Sequence, residues 1–279
     1  MMREILPNLY VRTSHIQKLQ SVVFRAGDAL YVVDPCYFPD EIAEIRELAR
    51  NFEGDVAEKF VILTHSDFDH IAGVPDFADY PVLAASTWDP MNEQGAIDQI
   101  ERFDSEMYVD RGWLGKMPRV PIAHACQHGE QRGALTFYHA KGHTADGLVT
   151  IFEHTAIVGD YLSGVEFPFV YTSYRDYLQT LSMFREVFLA HGIEHVISQH
   201  GPTALTASEI RHRLDTSEDY LHRAVSLVER GITRGLSLDE ILAEILDDAG
   251  DFSYETKPIP LGIRRFHTNN VRRIYEEGV

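Results

Sequence analysis

The hydrophobic positions in the first part of the chain form short apolar runs around one helical repeat. Residues 21–24 and 30–33 are apolar and β-branched and flank a glycine-aspartate turn signal, which predicts a β-hairpin. Residues 39–52 repeat apolar side chains at helical spacing and precede a glycine, which predicts a helix. Compact apolar runs at 60–63 and 81–84 predict two further strands, the first of them buried.

The periodicity is weaker over residues 86–120, which we interpret as an insertion with some helix and a possible lid. Beyond it, the pattern predicts strands at 135–138, 148–152, 156–158 and 195–198, and a helix at 174–191. After about residue 205 the apolar pattern is helical, and Ser237 with Glu240 forms a capping box. We therefore expect an α+β domain over residues 1–205, with a helical C-terminal extension at 206–279 packed on it.

Several predicted strands end in polar side chains that can bind metal ions. They are His65, Asp67, Asp69 and His70 after one strand, and His143, Asp160 and His200 after three others. Imidazole nitrogens and carboxylate oxygens suit Zn, Mn and Fe, and strand ends bring residues distant in sequence to one rim. The first four donors lie within six residues and have no basic neighbours, so without a cation their charges would repel one another.

This series of motifs resembles the metallo-β-lactamase-fold hydrolases. Residues 65–70, with the sequence HSDFDH, are similar to the family motif H-x-H-x-D-H. The later family motifs follow in order as GHT at 142–144, GD at 159–160 and HGP at 200–202. The resemblance covers about residues 8–203. It implies a four-layer αββα sandwich with the metal ions at one edge, between two sheets.

The resemblance also implies a role for each motif residue. The expected ligands are His65, Asp67 and His143 for one ion, Asp69, His70 and His200 for the second, and Asp160 for both. Asp69 and Asp160 are the expected catalytic residues, and Asp34 is expected to orient the ligand loop without touching metal. A hydroxide between two divalent ions would then attack an ester, lactone, thioester or related bond.

Two positions depart from the family pattern. Asp67 stands where the family usually has histidine. Two divalent ions contribute +4 and three carboxylates −3, so the pair keeps +1 instead of the usual +2. Harder oxygen ligands favour Mn or Fe over zinc alone, and the flavodiiron branch is similar in carrying a glutamate there. Lys141 stands where proline is frequent, and it either contacts an anionic substrate or lies exposed in a turn.

The sequence also offers candidates for the substrate pocket. They are Tyr161, Tyr171 and Tyr174 after the bridging aspartate, Trp88, Met91 and Trp113 in the insertion, and His267 near the C-terminus. The tyrosines either donate to an oxyanion or pack, and the insertion residues form either a pocket wall or core. His267 precedes a predicted short helix with Thr268 as N-cap, and it either folds back to the metal cleft or is structural.

Composition and charge narrow the classes of partner. The chain has 279 residues, with 25 Lys+Arg, 43 Asp+Glu and a formal net charge of −18. It would repel nucleic acid and anionic membranes, so neither is expected as a partner. Two cysteines, no apolar run of about 18 residues and no visible export signal predict a cytoplasmic protein. The expected partner is a small-molecule substrate, and a homodimer is a possible assembly.

Three classes of function stay open. The leading hypothesis is a dinuclear metal hydrolase. The first alternative is a non-haem iron oxidoreductase on the same fold, of the sulfur dioxygenase or diiron type. A self-contained flavin-linked diiron enzyme needs a flavin domain, and the region after about residue 205 has no glycine-rich phosphate loop. The third hypothesis is a metal-binding module without turnover.

Overall fold

Two β-sheets packed face to face form the centre of the molecule. The structure, a computed structural model, describes residues 1–112, 116–247, 253–254, 257–258 and 261–279. The first sheet contains seven strands in chain order: β1 (Arg3–Leu6), β2 (Leu9–Thr13), β3 (Gln20–Ala26), β4 (Ala29–Val33), β5 (Glu58–Ile62), β6 (Val82–Ala85) and β7 (Ile122–Cys126). Strands β1 to β4 pair antiparallel and β4 to β7 pair parallel.

The second sheet runs in the spatial order β12-β11-β10-β9-β8. Its strands are β8 (Gln131–Arg132), β9 (Leu135–Ala140), β10 (Gly147–Phe152), β11 (Thr155–Ile157) and β12 (His195–Ile197). Only β11 and β12 pair in parallel among these strands. A short hairpin of β13 (Ser253–Tyr254) and β14 (Lys257–Pro258) stands apart from both sheets.

Helices cover the outer face of each sheet. They are α1 (Pro39–Glu53), α2 (Phe68–Ile71), α3 (Pro90–Met107), α4 (Tyr174–His191), α5 (Ala207–Thr233), α6 (Leu238–Asp247) and α7 (Arg264–Glu277). Short 3-10 turns lie at Val74–Phe77 and Leu261–Ile263. Among the described helices, none is long and apolar enough to cross a membrane.

Three groups of buried apolar side chains define the layers. One group fills the space between the sheets and includes Phe24, Phe137 and Ile197. A second joins the first sheet to α1 and α3, and a third joins the second sheet to α4, α5 and α7. This is the expected four-layer αββα sandwich with C-terminal helices. Because α7 shares the third core with the second sheet, its first turn is held close to the sheet edges. The expected boundary between a domain and a C-terminal extension at residue 205 stays a prediction.

Most strongly periodic elements were predicted correctly. The hairpin β3–β4 and the helices α1 and α4 are present, and Ser237 Oγ accepts from the Glu240 amide while the Glu240 carboxylate accepts from the Ser237 amide. The edge strands β1 and β7 and the neighbouring strand β2 were missed because their sequences lack a continuous apolar run.

The predicted start of the last helix at Thr268 is wrong. The helix begins at Arg264, and the Thr268 hydroxyl donates to the Arg264 carbonyl one turn back inside the helix. The buried face of α7 includes His267 and Asn270 beside Val271 and Ile274. Polar side chains thus take core positions, which an apolar pattern cannot register.

Candidate metal centre

Metal-competent side chains from both sheets converge at one edge of the sandwich. His65, Asp67, His143 and Asp160 place ligand atoms within 4.8 Å of one another, and so do Asp69, His70 and His200. We call these seven side chains the cage. Each follows the end of a strand: β5 for His65 and Asp67 and for Asp69 and His70, which lie in α2, β9 for His143, β11 for Asp160 and β12 for His200. The structure thus brings together all seven predicted ligands.

Two glycines allow the sharp turns that present cage residues. Gly142, next to His143, has φ +115°, and a Cβ there would lie 2.4 Å from the backbone nitrogen of Tyr177 in α4. Gly159, next to Asp160, has φ +62° and faces the Thr64 side chain. An L-residue with a side chain would strain either turn, so glycine is required for the approach of the ligand loops.

Asp160 lies between the two groups of the cage. Its Oδ2 is 3.2 Å from Nε2 of His143 and 3.2 Å from Nε2 of His200. Its Oδ1 is 3.3 Å from Nε2 of His70. The carboxylate therefore contacts histidines of both groups, as a bridging ligand must.

The remaining carboxylates each face one group. Asp67 Oδ2 lies 3.6 Å from Nε2 of both His65 and His143, and Asp69 Oδ2 lies 3.6 Å from Nε2 of His200. Donor atoms on a tetrahedron with metal bonds of about 2.0–2.2 Å are separated by roughly 3.3–3.6 Å. The spacing within the cage is thus that of two small coordination shells.

Every histidine of the cage is fixed through its other ring nitrogen. The Nδ1 contacts are Thr64 Oγ1 for His65 (3.0 Å), Asp34 Oδ2 for His70 (2.8 Å), the Phe169 carbonyl for His143 (2.8 Å) and the Gln17 carbonyl for His200 (2.9 Å). Donation from Nδ1 leaves the Nε2 lone pair of each ring free to face the centre.

Asp34 organises this support from the end of β4. It is fully buried, and its carboxylate accepts from the Thr64 amide (2.9 Å), the Thr64 hydroxyl (2.6 Å), His70 Nδ1 and Gln199 Nε2 (2.8 Å). The carboxylate lies behind His70 and does not belong to the cage. Its position matches the orienting role that the sequence motif implies.

Buried ligand atoms of the cage lack hydrogen-bond partners. They are Nε2 of His65, His70 and His143, Oδ2 of Asp69 and Oδ1 of Asp160. An unsatisfied buried polar atom costs about 1–3 kcal/mol, and a cluster of them inside one cage is unfavourable unless a cation satisfies it. Two divalent ions fit this donor set, with three carboxylates and four neutral imidazoles facing inward.

The cage carboxylates perturb the ionisation of the histidines in the metal-free protein. Burial lowers the pKa of His143, but the contacts with Asp160 and Asp67 outweigh it and raise that pKa to about 10. The pKa of His200 is likewise raised to about 10, chiefly by Asp160. Burial opposes ionisation of Asp160, yet the surrounding imidazoles hold its pKa well below the usual range. A cation is therefore favoured in the cage, and metal must displace protons to enter.

The cage opens into a cavity of about 840 Å³. One wall comes from the insertion and includes Met91, Ala96 and Phe103 of α3. The opposite wall is formed by the loop after Asp160 and by the start of α7 and includes Phe169, Tyr171, Arg265, Phe266 and Asn269. Glu166 also lines the cavity, and burial raises its pKa to about 7.

The structure separates the predicted pocket residues. Tyr171 lines the cavity, with its ring 4.8 Å from that of His143. Tyr161 is buried and its hydroxyl accepts from the His143 amide, and Tyr174 is bonded to the Gly278 carbonyl at the end of the chain. His267 is buried against Phe167 and contacts the Tyr220 hydroxyl through Nδ1. Tyr161, Tyr174 and His267 are not among the cavity-lining residues, because they are buried on the side of the third core.

The three pocket candidates in the insertion have different outcomes. Met91 lines the cavity, whereas Trp88 packs against the core under α1 and α3. Trp113 lies outside the described residues. Lys141 is exposed in the turn before His143 and does not line the cavity.

Several residues of the site were missed from the sequence. Thr64 and Gln199 directly precede cage residues, and their adjacency to the ligand motifs is the signal that could have found them. Arg265 and Asn269 lie far along the chain in a polar segment. Only the packing of α7 brings them to the cavity.

Comparisons with known proteins agree with this geometry. A family model described as the metallo-beta-lactamase superfamily matches residues 20–191. A sec-alkylsulfatase, Pisa1 from Pseudomonas sp., superposes on 100% of this chain with a TM-score of 0.67 and 14% identity. The metallo-beta-lactamase DIM-1 superposes on 78% of this chain and 97% of its own, with a TM-score of 0.55 and 14% identity. This chain spans about half (50%) of the length of the sulfatase. No curated protein sequence matches it.

Proposed function

This chain belongs to the metallo-beta-lactamase superfamily, and from that premise we propose that it is a dinuclear metal-dependent hydrolase of small organic substrates. One observation carries the proposal. The cage histidines are fixed through Nδ1, while Nε2 and carboxylate atoms that face the centre of the cage have no hydrogen-bond partner. A purely structural histidine cluster would have no reason to leave buried acceptors open toward one centre.

The residues that would hold the ions follow from the two groups of the cage. His65, Asp67 and His143 would bind one ion, and Asp69, His70 and His200 the other, with Asp160 shared. Bound there, two divalent ions would polarise the electrophilic oxygen of a substrate and lower the pKa of water. Asp34, Thr64 and Gln199 would keep the imidazoles in one tautomer and orientation.

The cavity supports chemistry on a substrate with an apolar part. Aromatic and aliphatic side chains form both walls, and the cage occupies the inner end. Glu166, with its raised pKa near neutrality, is placed to hold a proton beside the cage. The bond broken is proposed to be an ester, lactone, thioester or sulfate ester; the last is included because the similar structure Pisa1 is a sec-alkylsulfatase.

Asp67 supports manganese or iron in preference to zinc alone. It supplies a carboxylate at a position where the family pattern usually has histidine, so the cage offers one more hard oxygen ligand. Elemental analysis of protein purified without chelators tests this part. We expect Mn or Fe in substantial amounts, and stoichiometric zinc alone in both sites would contradict it.

The whole proposal is tested by metal analysis and a substrate panel with the Asp160→Ala variant. We expect loss of both metal ions and of turnover, because the bridging carboxylate serves both groups. The matched control is Asp219→Ala, which removes an exposed carboxylate on α5 paired only with Arg223 among described contacts. Full activity in Asp160→Ala would refute the dinuclear assignment. Bound iron without hydrolysis of any panel member would favour an oxidoreductase.

A further inference from the structure

Among the described residues that line the cavity, Arg265 is the one arginine or lysine, and it distinguishes the outer end of the cavity from its inner end. Of the residues that line it, four are carboxylates, Asp67, Asp69, Asp160 and Glu166, and only Arg265 is a lysine or arginine. Arg265 is exposed, and its guanidinium has no carboxylate partner among the described residues.

The guanidinium is oriented by its own helix. Its Cζ lies 4.7 Å from the ring centroid of Phe266, a distance at which the ring quadrupole attracts the cation. Phe266 is in turn stacked on Phe169, with centroids 4.2 Å apart and an interplanar angle of 20°. The aromatic pair therefore holds the first turn of α7 against the cavity loop and limits where the charge can move.

Asn269 adds a second donor on the same helix face. It lies four residues after Arg265, so the two side chains are neighbours on α7, and both line the cavity. Asn269 is exposed as well. A guanidinium and an amide presented together suit the oxygens of a carboxylate or a sulfonate, which accept two or more hydrogen bonds.

Between this pair and the cage lies an apolar stretch of wall. Phe169 and Phe266 form one side, and Phe68, Ala96 and Phe103 form the other. A cavity of about 840 Å³ is large enough for a ligand with a substantial apolar body, since such sites typically measure about 300–1,000 Å³. The cage, the apolar walls and the pair of Arg265 and Asn269 therefore accept different chemical groups.

We propose that Arg265 and Asn269 form an anion-binding subsite, and that the substrate is an amphipathic organic anion whose anionic group is separated from the scissile bond by an apolar segment. This inference rests on the proposed hydrolase function. The scissile group would face the cage, the apolar segment would contact the aromatic walls, and the anionic end would pair with Arg265.

The test compares two substrates that differ only at the far end. They are the 4-nitrophenyl monoester of a medium-chain dicarboxylic acid, with a free terminal carboxylate, and the same compound with that carboxylate methylated. We expect the wild-type enzyme to prefer the carboxylate by about tenfold in kcat/KM, mostly through KM, and the preference to fall with added salt. Arg265→Gln should abolish the preference and Arg265→Glu should invert it; the quantity compared between variants is the ratio of the two kcat/KM values.

The matched control is Arg272→Gln, an exposed arginine on the same helix that does not line the cavity. It should retain the wild-type preference. An unchanged preference in Arg265→Gln would overturn the subsite. If the enzyme hydrolyses neither ester, that result counts against the hydrolase proposal. The subsite is then tested by binding alone.

In that measurement, calorimetry on the metal-loaded protein compares the binding of 4-phenylbutyrate with that of 4-phenylbutyramide. We expect the acid to bind more tightly than the amide, and Arg265→Gln to remove the difference. If the acid keeps its advantage in Arg265→Gln, the carboxylate binds at the cage instead and the proposed subsite is refuted.

Discussion

All four imidazoles of the cage are held through Nδ1, whereas Arg265 and Asn269 at the outer end of the cavity are exposed and have no carboxylate partner among the described residues. The cage side chains, Asp67 apart, are nearly inaccessible to solvent. The inner end of the site is therefore rigid before any ligand arrives, and the outer end can adapt to what it binds.

The two ends also differ in their relation to the family. All cage residues except His200 fall within residues 20–191, which match the superfamily model, whereas α7 lies beyond them. The matched region thus provides six of the seven cage residues, and α7 provides Arg265, the one arginine or lysine among the described residues that line the cavity. Specificity in this chain should accordingly be sought first in α7, which lies outside the match and contributes no cage residue.

The largest difference between the two ends should come from Asp34→Ala. It removes the acceptor of four hydrogen bonds in a fully buried position, leaving the Thr64, His70 and Gln199 donors without their partner. We expect metal affinity to fall by about 10–100-fold and the free energy of unfolding by about 3–5 kcal/mol. Competition with a chelator and thermal unfolding at saturating metal measure the two effects.

The corresponding change at the outer end is Asn269→Ala. Because Asn269 is exposed, we expect its loss to leave metal affinity and the unfolding temperature near the wild-type values. If Asp34→Ala kept wild-type metal affinity, or if Asn269→Ala lost it, the division into a rigid cage and an adaptable outer end would be wrong.

The sequence predicted the cage well and the outer end poorly, for a physical reason. Cage residues follow apolar strands directly, so a local pattern shows both the strand and the ligand at its end. Arg265 reaches the cavity only through the packing of Val271 and Ile274 in the third core, more than 60 residues after His200. His267 was a candidate for the cleft, but no local pattern distinguishes a histidine that faces a core from one that faces a cavity.

The next largest effect concerns the acid stability of α7. Burial, with Arg223 nearby, lowers the pKa of His267 to about 4. The unfolded state has the ordinary pKa of about 6.5 and so binds more protons between these values. The contribution of neutral His267 to the free energy of unfolding is therefore fully present above about pH 6.5. It is lost as the pH falls toward 4, and the loss amounts to at most about 3 kcal/mol.

Chemical denaturation at pH 7 and pH 4.5 of the wild type and of His267→Gln measures this contribution. The variant should lose less stability than the wild type over that interval, because glutamine does not titrate. His222→Gln, an exposed histidine on α5, should behave as the wild type does. The cage titrates equally in all three proteins and cancels in the comparison. If His267→Gln and the wild type lost the same stability between pH 7 and pH 4.5, His267 would be excluded as a source of the acid sensitivity.

The smallest effect should come from Asn270→Ala, which tests whether α7 positions the cavity wall. Asn270 Oδ1 accepts from the Val170 amide at 2.8 Å, and its Nδ2 donates to the Pro168 carbonyl at 2.6 Å. Loss of these bonds leaves a buried amide unpaired, at about 1–3 kcal/mol, and frees the loop that carries Phe169 and Tyr171. We expect KM to rise several-fold and metal affinity to fall much less than in Asp34→Ala, because Asn270 contacts no cage residue in the described structure and reaches the cage only through the loop whose Phe169 carbonyl contacts His143 Nδ1. Thr268→Ala, which removes only a hydroxyl bonded within the same helix, should change neither quantity. Loss of metal in Asn270→Ala would mean that the two ends of the site are coupled through this loop, and the cage would then depend on α7 for its geometry.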